Sequence, residues 1–274
     1  MTALPAWEPL VRAAAFFGVL LVMLAWERRA PRRDDIARRG RWFVNGALVL
    51  VDTAIVRLLG PLLPVAVAVV AADRGWGLFH ALAWPAAVAI PLTVVLMDLA
   101  IYWQHRLFHR IPLFWRLHRV HHSDTGFDTT TGVRFHPAEI VVSLLWKLLV
   151  VLTLGAPVLG VVVFEIILSA TSLFNHGNVR IPLGIDAALR RVIVTPDMHR
   201  VHHSSRVSET DSNFGFNLSV WDRWFGSYRA QPEAGHSGMQ IGLKAFRTPA
   251  DQRLTALLAQ PVVPVTTQTR GDRA

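Results

Sequence analysis

Histidines are the residues of this sequence whose spacing points to chemistry. Ten of the twelve histidines lie between His105 and His203. Most of them form three clusters: His105-x-x-x-His109, His118-x-x-His121-His122 and His199-x-x-His202-His203. On a helix, residues three and four positions apart share a face, so each cluster would aim two or three imidazoles at one point. Neutral imidazole binds iron, zinc, copper or nickel, and the clusters therefore predict a metal site.

Two of the clusters are copies of each other. The six-residue segment His-Arg-Val-His-His-Ser occurs at residues 118–123 and again at residues 199–204. The repeat indicates two equivalent half-sites, and eight clustered imidazoles exceed the four that a tetrahedral zinc ion can use. At least two metal ions are therefore expected. The alternative is a set of solvated or hydrogen-bonded histidines without a metal, which explains a single histidine better than a repeated cluster.

Several other chemistries are excluded by what the sequence lacks. It contains no cysteine, which rules out thiolate zinc sites, iron–sulfur clusters and thiol nucleophiles. A dinucleotide-binding G-x-G-x-x-G after a strand is missing, so electrons for a redox reaction would come from a partner protein. Two rival classes stay open. A metallohydrolase would need a Glu beside its ligands, but H-E-x-x-H is absent; a metal transporter would place its ligands at mid-membrane depth.

The composition is that of a membrane protein. Hydrophobic residues make up 52% of the 274 residues and charged residues only 17%, with a mean hydropathy of +0.36. The net charge is +9, and the basic residues lie between long apolar runs. This arrangement suits binding to an anionic membrane surface better than binding to a nucleic acid. We expect an integral membrane protein with no nucleic-acid partner.

Four apolar runs must position the histidines. They cover residues 10–26, 43–72, 81–103 and 140–175. The second is interrupted by Gly60 and Pro61 and carries Asp52 and Arg57, which are expected to pair inside the bundle. The fourth is long enough for two passes that turn near Gly155. The fold class expected is all-α: a polytopic membrane helical bundle of about four to five spans or hairpins.

The arginine-rich segment at residues 27–42 suggests the orientation of this bundle. It contains seven arginines, and such loops stay in the cytoplasm. Counting spans from it, the N-terminus lies outside and a cytoplasmic helical cap holds the histidine clusters. Three regions are expected: membrane-anchor helices in residues 1–93, a metal-binding domain in residues 94–230 with its membrane hairpin at 140–175, and a C-terminal cytoplasmic tail in residues 231–274.

The clusters and their flanking residues resemble the histidine boxes of the fatty acid hydroxylase/sterol desaturase superfamily, and among its members the bacterial sterol-desaturase-like branch. These proteins are membrane-embedded non-haem di-iron oxygenases. The resemblance covers residues 98–229. It includes the motifs YWQHR at 102–106, RFHPAE at 134–139, NHGN at 175–178, TPDMH at 195–199 and WDRWFG at 221–226.

Carried over by position, the resemblance implies nine metal ligands: His105, His109, His118, His121, His122, His176, His199, His202 and His203. It places His136 either among the ligands or packed around them. Glu139 and Asp98 would orient ligand imidazoles, or else pair with arginines at helix ends. Arg180 stands where some members have a further histidine. His80 and His236 lie outside the pattern and are expected to be ordinary interface and surface histidines.

The resemblance also implies the reaction. Two iron ions would be the cofactors, with zinc able to replace them on overexpression, and O2 the co-substrate. The reaction would be hydroxylation or desaturation of a C–H bond in a membrane lipid. The electron donor would be an external ferredoxin or cytochrome b5-like protein, and the location the bacterial cytoplasmic membrane.

Overall fold

The computed structural model describes residues 7–34, 40–59 and 63–264, and in this part of the chain it is all-helical, with only isolated β-bridges. The α-helices are α1 (Glu8–Arg29), α2 (Arg41–Leu58), α3 (Pro64–Arg74), α4 (Leu78–Ala81), α5 (Ala86–Arg110), α6 (Pro112–His122), α7 (Pro137–Leu154), α8 (Val158–Asn175), α9 (Leu183–Leu189), α10 (Pro196–His202), α11 (Val207–Thr210), α12 (Val220–Trp224), α13 (Gly235–Gly238) and α14 (Leu254–Ala259). Two short 3-10 helices cover Thr129–Val133 and Gln260–Val262. The predicted all-α class is confirmed.

Four of these helices are long and apolar enough to cross a membrane: α1, α5, α7 and α8. Helices α7 and α8 form the hairpin predicted within residues 140–175. They turn at Gly155, which caps α7 with a φ of +63°. Apolar side chains such as Phe17, Leu145 and Leu149 stay exposed on the spans, as expected for surfaces that face lipid. The predicted polytopic membrane bundle is therefore confirmed.

The second apolar run does not form a single span. It divides into α2 and α3, of which α3 begins with Pro64 in its first turn, where a missing N–H costs nothing. Helix α3 packs on the α7–α8 hairpin, where Val65 and Ala68 join a buried cluster with Val151 and Val161. The expected pairing of Asp52 with Arg57 is wrong for the described residues: Asp52 is buried without an ion pair and Arg57 is exposed.

The histidine-bearing elements meet at one end of the bundle. Helix α1 reaches this end with Glu27, whose Oε1 accepts hydrogen bonds from the backbone N–H groups of Thr129 (2.7 Å) and Asn178 (2.8 Å). Helix α6, the 3-10 helix Thr129–Val133 and α10 form a helical layer over the ends of the spans. This arrangement positions the site. The cytoplasmic orientation of the layer stays a prediction.

The chain after α13 returns to this layer. Leu257 of α14 packs with Leu48 and Val120 in a small buried cluster. The Arg119 guanidinium donates to the carbonyl of Val263 (2.7 Å). Residues 254–263 are thus docked against α6, whereas residues 265–274 of the expected tail lie outside the described residues.

Candidate metal centre

Local sequence explains why the two repeated segments are helical. Helices α6 and α10 each begin with a proline, Pro112 and Pro196, whose fixed φ suits the first helical position. Thr195 also caps α10 by accepting a hydrogen bond from the backbone N–H of Met198 (3.3 Å). Both helices are short and end on their histidines, so the imidazoles of each segment leave from the final turns.

The nine histidines predicted as ligands come together in two groups. The first histidine group consists of His105, His109, His118, His122 and His202, and the second of His121, His176, His199 and His203. All nine residues are buried, and within each group the candidate ligand nitrogens lie within 4.8 Å of one another. The groups adjoin, because the rings of His122 and His203 stack with their centroids 4.6 Å apart.

Each copy of the repeated segment contributes imidazoles to both groups. In the first copy, His118 and His122 belong to the first group and His121 to the second. In the second copy the assignment is reversed: His199 and His203 belong to the second group and His202 to the first. Each copy therefore contributes two imidazoles to one group and one to the other. Helix α5 adds His105 and His109 to the first group, and His176 follows α8 to complete the second.

Six of the nine imidazoles have an oxygen next to Nδ1. The acceptors are the carbonyls of Phe214 for His105 (2.9 Å), Arg134 for His121 (3.1 Å), Ser172 for His176 (2.7 Å) and Ser212 for His202 (2.7 Å), and the carboxylates of Asp211 for His109 (3.1 Å) and Glu139 for His118 (2.6 Å). An imidazole that donates from Nδ1 keeps the lone pair on Nε2. Metal-binding histidines in proteins are commonly held in this way.

The Nε2 atoms converge. The Nε2–Nε2 distances are 3.2 Å for His109–His122 and for His118–His122, 3.1 Å for His121–His176 and 3.0 Å for His176–His199. In the His121–His176 pair both Nδ1 atoms donate to carbonyl oxygens, so two Nε2 lone pairs face each other and repel unless a cation lies between them. Among the described residues, the Nε2 atoms of His105 and His202 are buried and have no hydrogen-bond partner. An all-imidazole set with this geometry fits a metal ion in each group.

Burial also keeps these imidazoles in the form that binds metal. Removal from water, with a further contribution from neighbouring histidines, lowers the pKa of His121, His122, His199 and His203 well below the ordinary value. Burial lowers the pKa of His176 to about 4. The rings are therefore neutral at physiological pH, as ligands must be.

A buried ionic network supports the loop after the first copy of the segment. The Arg41 guanidinium donates to both oxygens of Asp124 (2.6 and 2.7 Å) and to Asp128 (2.8 Å). This pairing holds the pKa of the Asp124 carboxyl well below its usual range. Sequence reasoning missed these residues, as it missed Asp211. The signal available for the network was two acids shortly after the first His-Arg-Val-His-His-Ser segment: Asp124 follows it directly and Asp128 comes four residues later.

Other residues singled out in the sequence lie outside the two histidine groups. Asp98 accepts hydrogen bonds from Trp221 Nε1 (2.8 Å) and from two backbone N–H groups, so it joins α5 to α12 and to the segment before α12 instead of orienting an imidazole. His136 caps α7 through Nδ1 and contacts the carbonyl of Leu258 through Nε2, outside both groups. His236 is not a surface residue: it is only 5% exposed. His80 is exposed, as expected.

A cavity of about 340 Å³ leads from the bundle to the histidines. We call it the histidine cavity. Its wall includes His105 and His118 of the first group and His121 and His199 of the second. Most of its remaining wall comes from the spans and α2, with apolar side chains that include Phe16, Val49, Phe108, Ile140 and Leu168. The cavity therefore borders both groups with a largely apolar wall that also contains charged side chains such as Asp52, Lys147 and Glu165.

Comparison with known proteins gives consistent matches. The family model described as fatty acid hydroxylase matches residues 90–227, half of the chain. An ornithine lipid hydroxylase of Rhizobium tropici is 28% identical over 252 residues, which cover 90% of this chain and 74% of that protein. The alkylglycerol monooxygenase of Homo sapiens is 29% identical over 153 residues, 55% of this chain and 33% of that protein.

The alkylglycerol monooxygenase of Danio rerio is 27% identical over 174 residues, covering 62% of this chain and 38% of that protein. No solved structure matches the chain. The family model spans α5 to α12 and contains all nine histidines of the two groups. The order of the histidine clusters, their convergence and this match agree, and the chain belongs to the fatty acid hydroxylase family.

Proposed function

We propose that this protein is an integral membrane non-haem di-iron hydroxylase that uses O2 to oxidise a C–H bond of a membrane lipid. The proposal rests on one observation: two groups of buried, neutral imidazoles border the same largely apolar cavity. Residues 94–230 would form the hydroxylase domain, between anchor helices in residues 1–93 and a tail in residues 231–274.

Each histidine group would hold one iron ion. Bound iron supplies the activation of O2 that attack on an unactivated C–H bond requires. The chain's own residues do the rest. Oxygens beside Nδ1, such as Glu139 Oε1, fix the direction of the imidazoles. Phe108, Ile140 and Leu168 exclude water and align an apolar chain with the histidines.

The relatives support hydroxylation of a lipid. Their names describe an ornithine lipid hydroxylase and an alkylglycerol monooxygenase, both of which insert oxygen rather than desaturate. Electrons would come from an external ferredoxin or cytochrome b5-like protein. The exposed Arg110 and Arg116, near the histidine end of the bundle, would suit an acidic carrier of this kind.

The rival functions fit the geometry less well. In a transporter the ligands would lie midway along the spans, whereas His105 and His109 lie in the last two turns of α5 and His176 lies just beyond α8. In a metallohydrolase a Glu would act on a bound water. The Glu139 carboxylate is instead engaged with His118 Nδ1.

The test combines metal content with isotope incorporation. Protein purified in detergent from iron-replete cells should contain about two iron ions per chain. With a reducing partner and 18O2, bacterial membrane lipids should gain one 18O atom. His121→Ala and His202→Ala, one from each group, should lose metal and product together, while the exposed His80→Ala should keep both. Full turnover by metal-free protein, or label derived only from water, would refute the proposal.

A further inference from the structure

Helix α9 is apolar on its outer side and charged on its inner side. Leu183 and Ile185 are 72% and 54% exposed. Asp186 and Arg190 are only 4% and 6% exposed, and they form an ion pair with each other. A helix on a water-facing surface has the opposite arrangement, with its charged residues outside. The outer side of α9 is therefore suited to a nonpolar environment.

Helix α12 continues this apolar surface beside a membrane span. Its Trp224 is 73% exposed. On the inner side of α12, Trp221 Nε1 donates to Asp98 of α5 (2.8 Å), about three turns before α5 ends. The ring of Phe225 lies 4.9 Å from that of Trp103, which belongs to the same span. Because tryptophan is enriched where spans meet water, these contacts place the outer side of α12 in the membrane interface.

A groove of about 490 Å³ lies between α9 and α12, and its charges do not balance. The charged residues that line it are Asp186, Arg190, Arg191 and Arg223. Asp186 is paired with Arg190, which leaves the other two arginines. Arg191 and Arg223 are exposed, and neither forms an ion pair within the described part of the chain. Since arginine stays charged at physiological pH, the groove has an excess of positive charge.

Neutral groups hold the Arg223 guanidinium in place. Its Nη2 donates to the carbonyl of Arg190 (2.6 Å) and its Nη1 to the hydroxyl of Ser219 (3.0 Å). Its Cζ lies 4.1 Å from the centre of the Tyr228 ring. The neighbouring Asp222 is buried, and its carboxylate accepts from two backbone N–H groups instead. A guanidinium fixed in this way loses little freedom when it binds a phosphate, whose oxygens match its planar set of donors.

We propose that Arg191 and Arg223 bind the phosphate of an anionic membrane phospholipid, with the outer sides of α9 and α12 lying in the interfacial layer of the bilayer. Apolar side chains such as Leu183 and Trp224 are then buried among the lipids, and the groove lies at the level of the phosphates. The groove shares no lining residue with the histidine cavity. It is therefore a second lipid site, and it holds the histidine-bearing layer against the membrane.

Lipid binding in detergent tests the two arginines. The probe is fluorescent phosphatidylglycerol, whose binding to the full-length protein is measured by anisotropy in a detergent with a neutral head group. The double variant Arg191→Gln/Arg223→Gln should bind at least about tenfold more weakly, because each basic residue near a lipid head group contributes roughly fivefold. Arg180→Gln/Arg253→Gln removes the same charge at two exposed positions outside the groove and should bind as the wild type does. Equal binding by the two double variants would overturn the site.

A single substitution replaces the double variant if that variant fails to fold. Arg191 is exposed and its side chain makes no hydrogen bond to any described residue, so Arg191→Gln removes no structural contact. It should weaken the binding of phosphatidylglycerol about fivefold. Unchanged binding by folded Arg191→Gln protein would contradict the proposal.

Fluorescence quenching in phospholipid vesicles tests the position in the membrane. The chain has no cysteine, so a fluorophore can be attached at Ile185→Cys or at the exposed Ser208→Cys alone. A phospholipid with a nitroxide on its head group should quench the label at Ile185→Cys much more strongly than the label at Ser208→Cys. If inorganic phosphate displaces phosphatidylglycerol and the Ile185→Cys label is not quenched, the arginines bind a free anion and the membrane site is refuted.

Discussion

The oxygen atoms beside Nδ1 of six imidazoles fix which ring nitrogen carries the proton. These six oxygens are not equivalent. Four are backbone carbonyls, whereas His109 and His118 face carboxylates. A carboxylate raises the basicity of the ring and strengthens its bond to a metal more than a carbonyl does. Of these two carboxylates, that of Glu139 is buried, so solvent screens its effect least.

Replacement of this carboxylate should weaken the site without dismantling it. Glu139→Gln keeps an acceptor for His118 Nδ1 but removes the negative charge. We expect metal affinity to fall about 10- to 100-fold, the usual effect of losing such a partner. Competition with a chelator measures the change. Glu233→Gln, which alters an exposed carboxylate, is the matched control and should behave as wild type. Equal metal retention in both variants would contradict this role of Glu139.

The metal-free protein should lose stability in mild acid. Burial lowers the pKa of His199, His202 and His203 well below 6.5, and that of His176 to about 4. Below pH 6.5 the unfolded chain therefore binds protons that the folded chain does not. Each such histidine makes the free energy of unfolding fall by up to about 1.4 kcal/mol per pH unit. Above pH 6.5 both states are neutral and the effect vanishes.

Thermal unfolding of metal-free protein in detergent measures this dependence. The midpoint should be constant between about pH 8 and 7 and should fall steadily between about pH 6.5 and 4. Metal-loaded protein should resist acid further, because bound metal competes with protons for the same nitrogens. A midpoint that stays constant down to about pH 5 would mean that the histidines are not buried.

For single residues, the sequence predicts the metal ligands better than the groups that hydrogen-bond to them. The histidines are recognisable because residues three and four positions apart face one way on a helix. Several partners of their Nδ1 atoms come from other parts of the chain: Phe214 follows His105 by 109 residues and Arg134 follows His121 by 13, whereas Ser172 precedes His176 by only four. Every residue has a backbone carbonyl, so the sequence does not show which carbonyl will accept the hydrogen bond. The different position of Asp98 has the same origin, since Trp221 is 123 residues away.

At the scale of the elements, the turn of the α7–α8 hairpin is tightly packed. Gly155 has a φ of +63°, and a Cβ at this position would overlap the carbonyl oxygen of Trp76. Gly77, on the opposite side, has a φ of +96°, and its Cβ would overlap the backbone of Gly155. Two backbones can approach in this way only where neither residue has a side chain. The contact fixes the hairpin against the turn between α3 and α4.

Gly155→Ala should therefore destabilise the protein. The left-handed conformation alone costs about 1–2 kcal/mol for a residue with a Cβ, and the overlap with Trp76 adds to this. Gly184→Ala is the matched control, because it has a permissive φ and no atom within 4 Å of the new Cβ. The measurement is the thermal midpoint of each variant in detergent. Equal midpoints would show that the two turns do not pack as described.

Local hydropathy explains which elements could be predicted. The spans α1, α5, α7 and α8 appear in the sequence because an apolar run of sufficient length needs no partner to be recognised. The packing of α3 on the hairpin and of residues 254–263 on α6 has no such local signal. Both depend on contacts between segments far apart in the chain, such as Leu257 with Val120.

At the scale of the whole molecule, every histidine cluster lies at one end of the bundle. The membrane topology of the protein can therefore be tested. The chain has no cysteine, so single cysteines give an unambiguous signal. Ser208→Cys and Thr248→Cys, both at exposed positions of the histidine end, should be labelled from the same side of the membrane. The arginine-rich segment predicts that this side is the cytoplasm.

Ala83→Cys, at an exposed position between α4 and α5, serves as the reference for the other end of the bundle. It should react with an impermeant reagent only from the opposite side. Labelling of Ser208→Cys and Ala83→Cys from one side would contradict a crossing by α5. Periplasmic labelling of Ser208→Cys and Thr248→Cys would reverse the orientation while leaving the bundle intact.

Because each repeated segment contributes to both histidine groups, the order of synthesis determines when the metal centre can form. Both histidine groups need imidazoles from residues 118–122 and from residues 199–203. Neither group is complete until the ribosome has made the second segment, after the α7–α8 hairpin. The nascent chain consequently cannot fill one group and then the other as it emerges. Metal insertion would therefore follow synthesis of the second segment, and it would depend on the hairpin having first brought the two segments to the same side of the membrane.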